Sequence, residues 1–192
     1  MTSHPAHLTG SLVTVRDFTA ADVEAAHAVV GDPRVTDHLS FAAKTLDQTA
    51  TMIDGILARA RQDPRTEYYL AVERDGLPLG FARLGLDGVK AAKLGYAVHA
   101  DHWGRGYATD AVRVLVTFGF DELGLHRISA AIGPDNAASV AVVKRAGFSY
   151  EGRIRDHVHT NGAWRDSLLY SVLEHEWPHD LASPALPSDA VS

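Results

Sequence analysis

The chain of 192 residues contains no cysteine. Disulfides, a cysteine-ligated zinc and a thiol nucleophile are thereby excluded, and the composition fits a cytoplasmic setting. No apolar run reaches the roughly 18 residues a membrane-spanning helix needs. Residues Met1–Gly10 lack an apolar stretch of signal-peptide type, so neither a membrane span nor a signal peptide is expected. Positive charge is also scarce: 18 Lys and Arg stand against 24 Asp and Glu, a formal net charge of −6. Such a chain is a poor partner for a phosphate backbone, and nucleic acid is not expected to bind. No internal repeat is visible. What is present is 46% hydrophobic residues, enough for the core of one domain.

Leu12, Val13, Val15 and Phe18 predict a strand over Ser11–Phe18. Thr19 and Asp22 form a variant capping box for a helix from about Ala20 to Val30, which Gly31-Asp32-Pro33 stops. Met52, Ile53, Ile56 and Leu57 recur at helical spacing behind the cap residue Thr45 and predict a helix over Leu46–Arg61. Strands follow at Tyr68–Glu73 and Leu79–Leu86, joined by the tight-turn pair Asp75-Gly76, and a further strand at Lys93–His99. A helix is expected after Thr109, to about Glu122, with an apolar face of Ala111, Val112, Leu115, Val116 and Phe118. Arg127–Ile132 reads as a strand and Asn136–Ala146 as a helix with Gly147 beyond its end. Phe148–Val158 and Trp164–Leu173 flank Asn161-Gly162, a strong hairpin signal. The expected order is β α α β β β α β α β β. Residues 1–10 read as an N-terminal extension, 11–177 as the domain, and 178–192 as a flexible tail poor in large apolar groups.

The most informative segment is Trp103-Gly104-Arg105-Gly106-Tyr107-Ala108, between a strand and a helix. Its glycines permit close backbone approach, and the first helix amides have no internal partner. An anion such as a pyrophosphate satisfies them, and Arg105 adds a formal charge. A plain strand–turn–helix corner explains the segment equally well. No Gly-Lys-Ser/Thr follows, so it is not a P-loop; Thr109 stands where a dinucleotide fingerprint has its third glycine. A second segment, Asp135-Asn136-Ala-Ala-Ser139, opens the next helix. Asn136 suits an N-cap there, with or without any further role.

Together, in this order, these segments resemble the GNAT acyltransferases, and within them the bacterial ribosomal-protein N-terminal acetyltransferases of Rim type. The residues that carry the resemblance are Gly95-Tyr96, Trp103-Gly-Arg-Gly-Tyr-Ala-Thr-Asp-Ala111, Asn136-x-x-Ser139-x-x-Val142-x-Lys144-x-x-Gly147-Phe148 and Glu151-Gly152. Element order matches from about Val13 to Glu176. The resemblance implies an α+β fold: a mostly antiparallel mixed sheet, flanked by helices, with a splayed parallel strand pair at Lys93–His99 and Arg127–Ile132. It implies acetyl-CoA as cosubstrate, its pantetheine arm beside Val98 and His99 and its pyrophosphate on the amides of Arg105, Gly106, Tyr107, Ala108 and Thr109. Asn136 then contacts the pantetheine arm and Lys144 the nucleotide end. Trp103 departs from the Gln or Arg usual at the first motif position, which touches only that side chain's contribution.

The implied reaction moves an acetyl group to a primary amine, on a protein N-terminus or a small molecule, by direct transfer in a ternary complex. Ser139 is the candidate donor to the departing CoA sulfur, and a backbone N–H near Val98 or His99 the candidate oxyanion donor. The glutamate that many such enzymes use as base has no counterpart in Ala91–Leu94; His99 leads the candidates, with His157, Asp156 and Glu151 behind it. Arg83, Arg153 and Arg155 are candidates for holding a distal carboxylate should the acyl group carry one. Trp164, on the last hairpin, is near the expected acceptor groove. His157 and His159 share a strand face, but no acid stands at metal-ligand spacing and no metal is expected. A homodimer is compatible with the resemblance. A non-catalytic acyl-CoA sensor is the alternative reading, and turnover discriminates the two.

Overall fold

The computed structural model describes residues 6–178. Eight strands form one sheet: β1 His7–Thr9, β2 Thr14–Asp17, β3 Glu67–Arg74, β4 Leu77–Leu86, β5 Ala91–Val98, β6 Arg127–Ile132, β7 Ser149–Thr160 and β8 Ala163–Leu173. Five α-helices join them: α1 Val23–Val30, α2 Pro33–Thr36, α3 Leu46–Ala60, α4 Tyr107–Asp121 and α5 Ala137–Arg145. The spatial order is β1-β2-β3-β4-β5-β6-β8-β7. Every neighbouring pair is antiparallel except β5 and β6. This is the mixed, mostly antiparallel α+β architecture that the resemblance implies.

Strand alternation divides the core between the two faces of the sheet. Leu70 and Val72 of β3 face one way and Ala71 the other. The first face carries α4 and α5. Val112, Leu115 and Val116 of α4 are fully buried there, each contributing about 1.5–3 kcal/mol of burial. The second face carries α1 and α3, with Val29, Val30, Ile53 and Ile56 packed on Phe81 and Ala97. Thr45 caps α3 through a reciprocal pair: Gln48 N–H donates to Thr45 Oγ1 at 3.2 Å, and Thr45 N–H to Gln48 Oε1 at 2.9 Å.

The structure differs from the sequence reading at the N-terminal edge. The first expected strand shortens to Thr14–Asp17, because the Ser11–Val13 amides are held by a side chain of α4. His7–Thr9, read as extension, pairs with Thr14–Arg16 as β1. Asp32-Pro33 ends one helix and begins another: the Asp32 carboxylate accepts the Arg34 N–H at 2.9 Å and Pro33 takes the first position of α2. At the other boundary, Trp177 is buried, and its indole donates to Thr117 Oγ1 at 3.0 Å. Of the expected 178–192 tail, all but Pro178 lies outside the described residues, as do residues 1–5 of the extension.

β5 and β6 pair only at Ala91–Arg127, Ala92–Ile128 and Lys93–Ser129, although both strands run on to Val98 and Ile132. They separate beyond that point. On its other edge β5 stays paired with β4 as far as Gly80–Val98. Gly80 permits this: a Cβ there would lie 2.3 Å from the Ala97 carbonyl oxygen. The gap between β5 and β6 is the feature around which the site is built.

Candidate active site

The His99 N–H donates to the Leu79 carbonyl at 2.8 Å. Antiparallel pairs alternate between bonded and unbonded, so His99 and Ala97 turn their backbone groups toward β4. Tyr96 and Val98 turn theirs the other way, into the gap that β6 has left. The Val98 carbonyl is taken by the Trp103 indole, which donates to it at 2.8 Å. The Val98 N–H and the Tyr96 backbone remain at the open edge.

A cleft of about 390 Å³ occupies the gap. Tyr96, Ala97 and Val98 form its floor, and His102–Thr109 one wall. Asn136, Ser139, Val142 and Arg145 supply a second wall from α5, and Val35, His38 and Leu39 a third from α2 and the residues after it. The cleft thus contains Val98, Arg105, Gly106, Tyr107, Ala108, Thr109, Asn136 and Ser139. It does not include His99 or Lys144.

The start of α4 is built to receive an anion. Gly106 stands at φ +83°, and no side chain caps the helix. The amides ahead of Asp110 have no helical acceptor, since the Asp110 N–H is the one that reaches Gly106 O, at 3.0 Å. An acid in the first turn would compete with a bound anion. Here the Asp110 carboxylate instead accepts the N–H groups of Ser11 at 3.2 Å, Leu12 at 2.7 Å and Val13 at 3.0 Å. The positive end of α4 is left to the cleft.

Asn136 caps α5, its Oδ1 accepting the Ser139 N–H at 3.0 Å. That leaves its amide NH₂ for the cleft. Tyr96 donates its hydroxyl proton to the Ser139 carbonyl at 2.9 Å, and burial pushes its phenol up to about 12. The Ser139 hydroxyl makes no hydrogen bond among the described residues. Ser139 is thus gripped from both sides by its backbone, with its Oγ unengaged.

The other residues singled out from sequence sit elsewhere. The His99 ring accepts the Asp101 N–H at 3.2 Å. His157 bonds Ser167 Oγ at 2.9 Å, and Asp156 donates its N–H to Asp166. Glu151 is locked to Arg127 and Ser171, which hold its carboxyl down at about 2, the Arg127 bond first among the causes. Arg83 pairs with Glu67 and Arg153 with Asp166. Trp164 is exposed, its ring tilted against that of His159 with centroids 5.1 Å apart. Sequence reasoning passed over Tyr96, His38, His102 and Arg145 as cleft residues. Tyr96 was in view as a family position, and Arg145 is one residue from Lys144. His38 carried no local signal.

A splayed parallel pair, an unpaired strand edge and an uncapped helix start define an acyltransferase of the GNAT type. Residues 13–149 match the acetyltransferase (GNAT) domain family, and the chain belongs to it. Among curated relatives, the uncharacterized N-acetyltransferase YoaA of Bacillus subtilis is 30% identical over 165 residues, covering 83% of this chain and 92% of the relative. The putative ribosomal N-acetyltransferase YdaF of the same organism is 39% identical over 105 residues, covering 54% and 57%. Among solved structures, Mycobacterium smegmatis RimJ in complex with CoA-disulfide superposes with a TM-score of 0.80 at 25% identity, covering 91% of this chain and 88% of that one.

Proposed function

We propose that the protein transfers the acetyl group of acetyl-CoA to a primary amine, on a protein N-terminus or a small molecule, directly within a ternary complex. One observation carries the reading: the free edge of β5 and the uncapped start of α4 open into the same cleft. A pantetheine arm continues the sheet beside Tyr96 and Val98 as a third strand would. Its pyrophosphate meets the amides of Arg105–Thr109, and Arg105 and Arg145 bring positive charge to that end. Asn136 offers its NH₂ to the arm.

Acetyl-CoA supplies an activated thioester. The Val98 N–H, turned away from β4 into the gap, would donate to the thioester carbonyl oxygen as charge develops on it. Of the two oxyanion donors considered from sequence, the His99 N–H is already spent on Leu79. Ser139 Oγ, held by its own backbone, is the donor to the departing sulfur.

The test is CoA release, read with a thiol reagent, from acetyl-CoA and a panel of amines and N-terminal peptides. A chain without cysteine contributes no thiol background. Amine-dependent release is expected; acetyl-CoA binding without release from any amine would favour a sensor. Ser139→Ala is expected to lower kcat by about 10²-fold or more while the KM for acetyl-CoA changes little. Unchanged kcat would reduce Ser139 to a helix residue.

A further inference from the structure

Among the described residues lining the cleft there is no carboxylate. The side chains there of a type that serves as general base are two imidazoles, His38 and His102. Tyr96 does not serve, because burial lifts its phenol and its proton already goes to the Ser139 carbonyl. His102 belongs to the anion-binding side. It directly precedes Trp103, its Nδ1 is enclosed with no hydrogen-bond partner among the described residues, and its ring meets His99 edge-on at 5.7 Å.

His38 comes from the wall that holds neither the phosphate loop nor α5. The residue is exposed, and its ring makes no hydrogen bond among the described residues. Its backbone, by contrast, is pinned. Arg165 of β8 donates to the Asp37 carbonyl at 2.9 Å and to the Leu39 carbonyl at 2.6 Å, one on either side of His38. The His38 N–H donates to Val35 O at 3.2 Å, and Val35 is itself buried. A planar guanidinium fork, reaching across 128 and 126 positions of sequence to the residues on either side, thus fixes residue 38 without using its ring.

We infer that His38 takes the proton from the acceptor's ammonium group. The inference rests on the acetyl-transfer reading above. An amine arriving as R–NH₃⁺ has no lone pair to attack with. Neutral His38 removes one proton, and the freed nitrogen forms the C–N bond as the C–S bond breaks. A second nitrogen proton ends on the CoA sulfur, by way of Ser139, and the imidazolium passes its proton to water. The balance is thioester plus ammonium giving amide, CoA thiol and one proton. Charged groups near His38 are Asp37 beside it and Arg165 behind it. Arg34 is engaged by Asp32 and Asp101. Across the cleft stand His102, Arg105, Tyr107 and Arg145, with Tyr96 on the floor.

The experiment compares wild type, His38→Gln and His102→Gln in kcat/KM for the amine against pH, alongside acetyl-CoA affinity by calorimetry. His38→Gln is expected to lose about 10²-fold or more in kcat/KM at pH 7 and to lose the acidic limb of the profile, with acetyl-CoA affinity unchanged. An acidic limb that survives in His38→Gln, or vanishes in His102→Gln alone, overturns the inference. A readout free of turnover separates it from the parent reading. The imidazole signal assigned by its absence in His38→Gln is titrated by NMR with CoA bound, with and without a tripeptide α-amine or spermidine. A midpoint displaced by either amine supports the role; a midpoint unmoved by both refutes it even where wild type turns over, and a displaced midpoint without turnover refutes only the parent reading.

Discussion

Gly106 stands at φ +83°, where an L side chain is strained by about 1–2 kcal/mol. A Cβ at this position would also lie 3.3 Å from Leu12 Cδ1. Both facts follow from what the residue does: it turns the chain into α4, leaving the next amides without a helical acceptor. Gly106→Ala is expected to lower stability by about 1–2 kcal/mol and to weaken acetyl-CoA binding. Gly106→Glu puts a carboxylate against the same amides and is expected to abolish acetyl-CoA binding in calorimetry while the folded baseline persists. Retained affinity in a folded Gly106→Glu protein would place the anion site elsewhere. This loop was legible in the sequence because its signal is local: two glycines and a helix start within six residues. Trp103 shows the limit of such reading. Its departure from the common motif was visible, yet its bond to Val98 O depends on how the loop folds back onto β5.

Asp110 belongs to the scale of whole elements, since one carboxylate joins α4 to the β1–β2 turn. Three backbone N–H groups, at residues 11, 12 and 13, converge on it. The same turn sets Leu12 beside Gly106, so the clamp steadies the phosphate loop from behind. In Asp110→Asn a single carboxamide oxygen, placed where Asp110 Oδ2 stands, still accepts from Leu12 and Val13, but an NH₂ then replaces Oδ1 and faces the Ser11 N–H. The expected cost is about 1 kcal/mol, with faster hydrogen exchange at Ser11–Val13 and weaker acetyl-CoA binding. Exchange unchanged from wild type would show that the β1–β2 pairing, the Gly10 N–H to Val13 carbonyl bond and Arg74 on the Leu12 carbonyl hold the turn without Asp110. The sequence offered no route to this contact. Ser11 and Leu12 read as strand, Asp110 as an ordinary first-turn acid, and 97 or more positions separate the partners. The Thr45 cap and the Asn161-Gly162 hairpin were legible for the opposite reason, since each signal is local; Gln48, which completes the reciprocal pair with Thr45, came only with the structure.

At the scale of the molecule, the splay of β5 from β6 loses sheet hydrogen bonds at the centre, and the far half must be held by other means. The hairpin β7–β8 reaches the rest of the sheet through β6. An ion pair reinforces that joint across three strands: Arg127 of β6 grips the Glu151 carboxylate of β7, and Ser171 of β8 donates to it at 2.7 Å. The sequence offered Glu151 as a candidate base, but the fold spends it here. Its carboxyl, near 4.5 when unperturbed, is held down at about 2 by the Arg127 and Ser171 bonds. The folded value lies below the unfolded one, so the contribution to stability is fully present above about pH 4.5 and is lost as the pH falls toward about 2. Both partners are about one-third exposed, 34% each, so screening limits the gain to about 1 kcal/mol or less. Glu151→Gln is accordingly expected to unfold at lower denaturant than wild type at pH 7, with the difference shrinking between pH 4.5 and 2 and also in molar salt. Chemical denaturation of both proteins at pH 7 and pH 3 checks this. Equal midpoints at pH 7 would mean that β7–β8 is held to β6 by backbone pairing and packing alone, and a gap that widened on acidification would reverse the sign argued here.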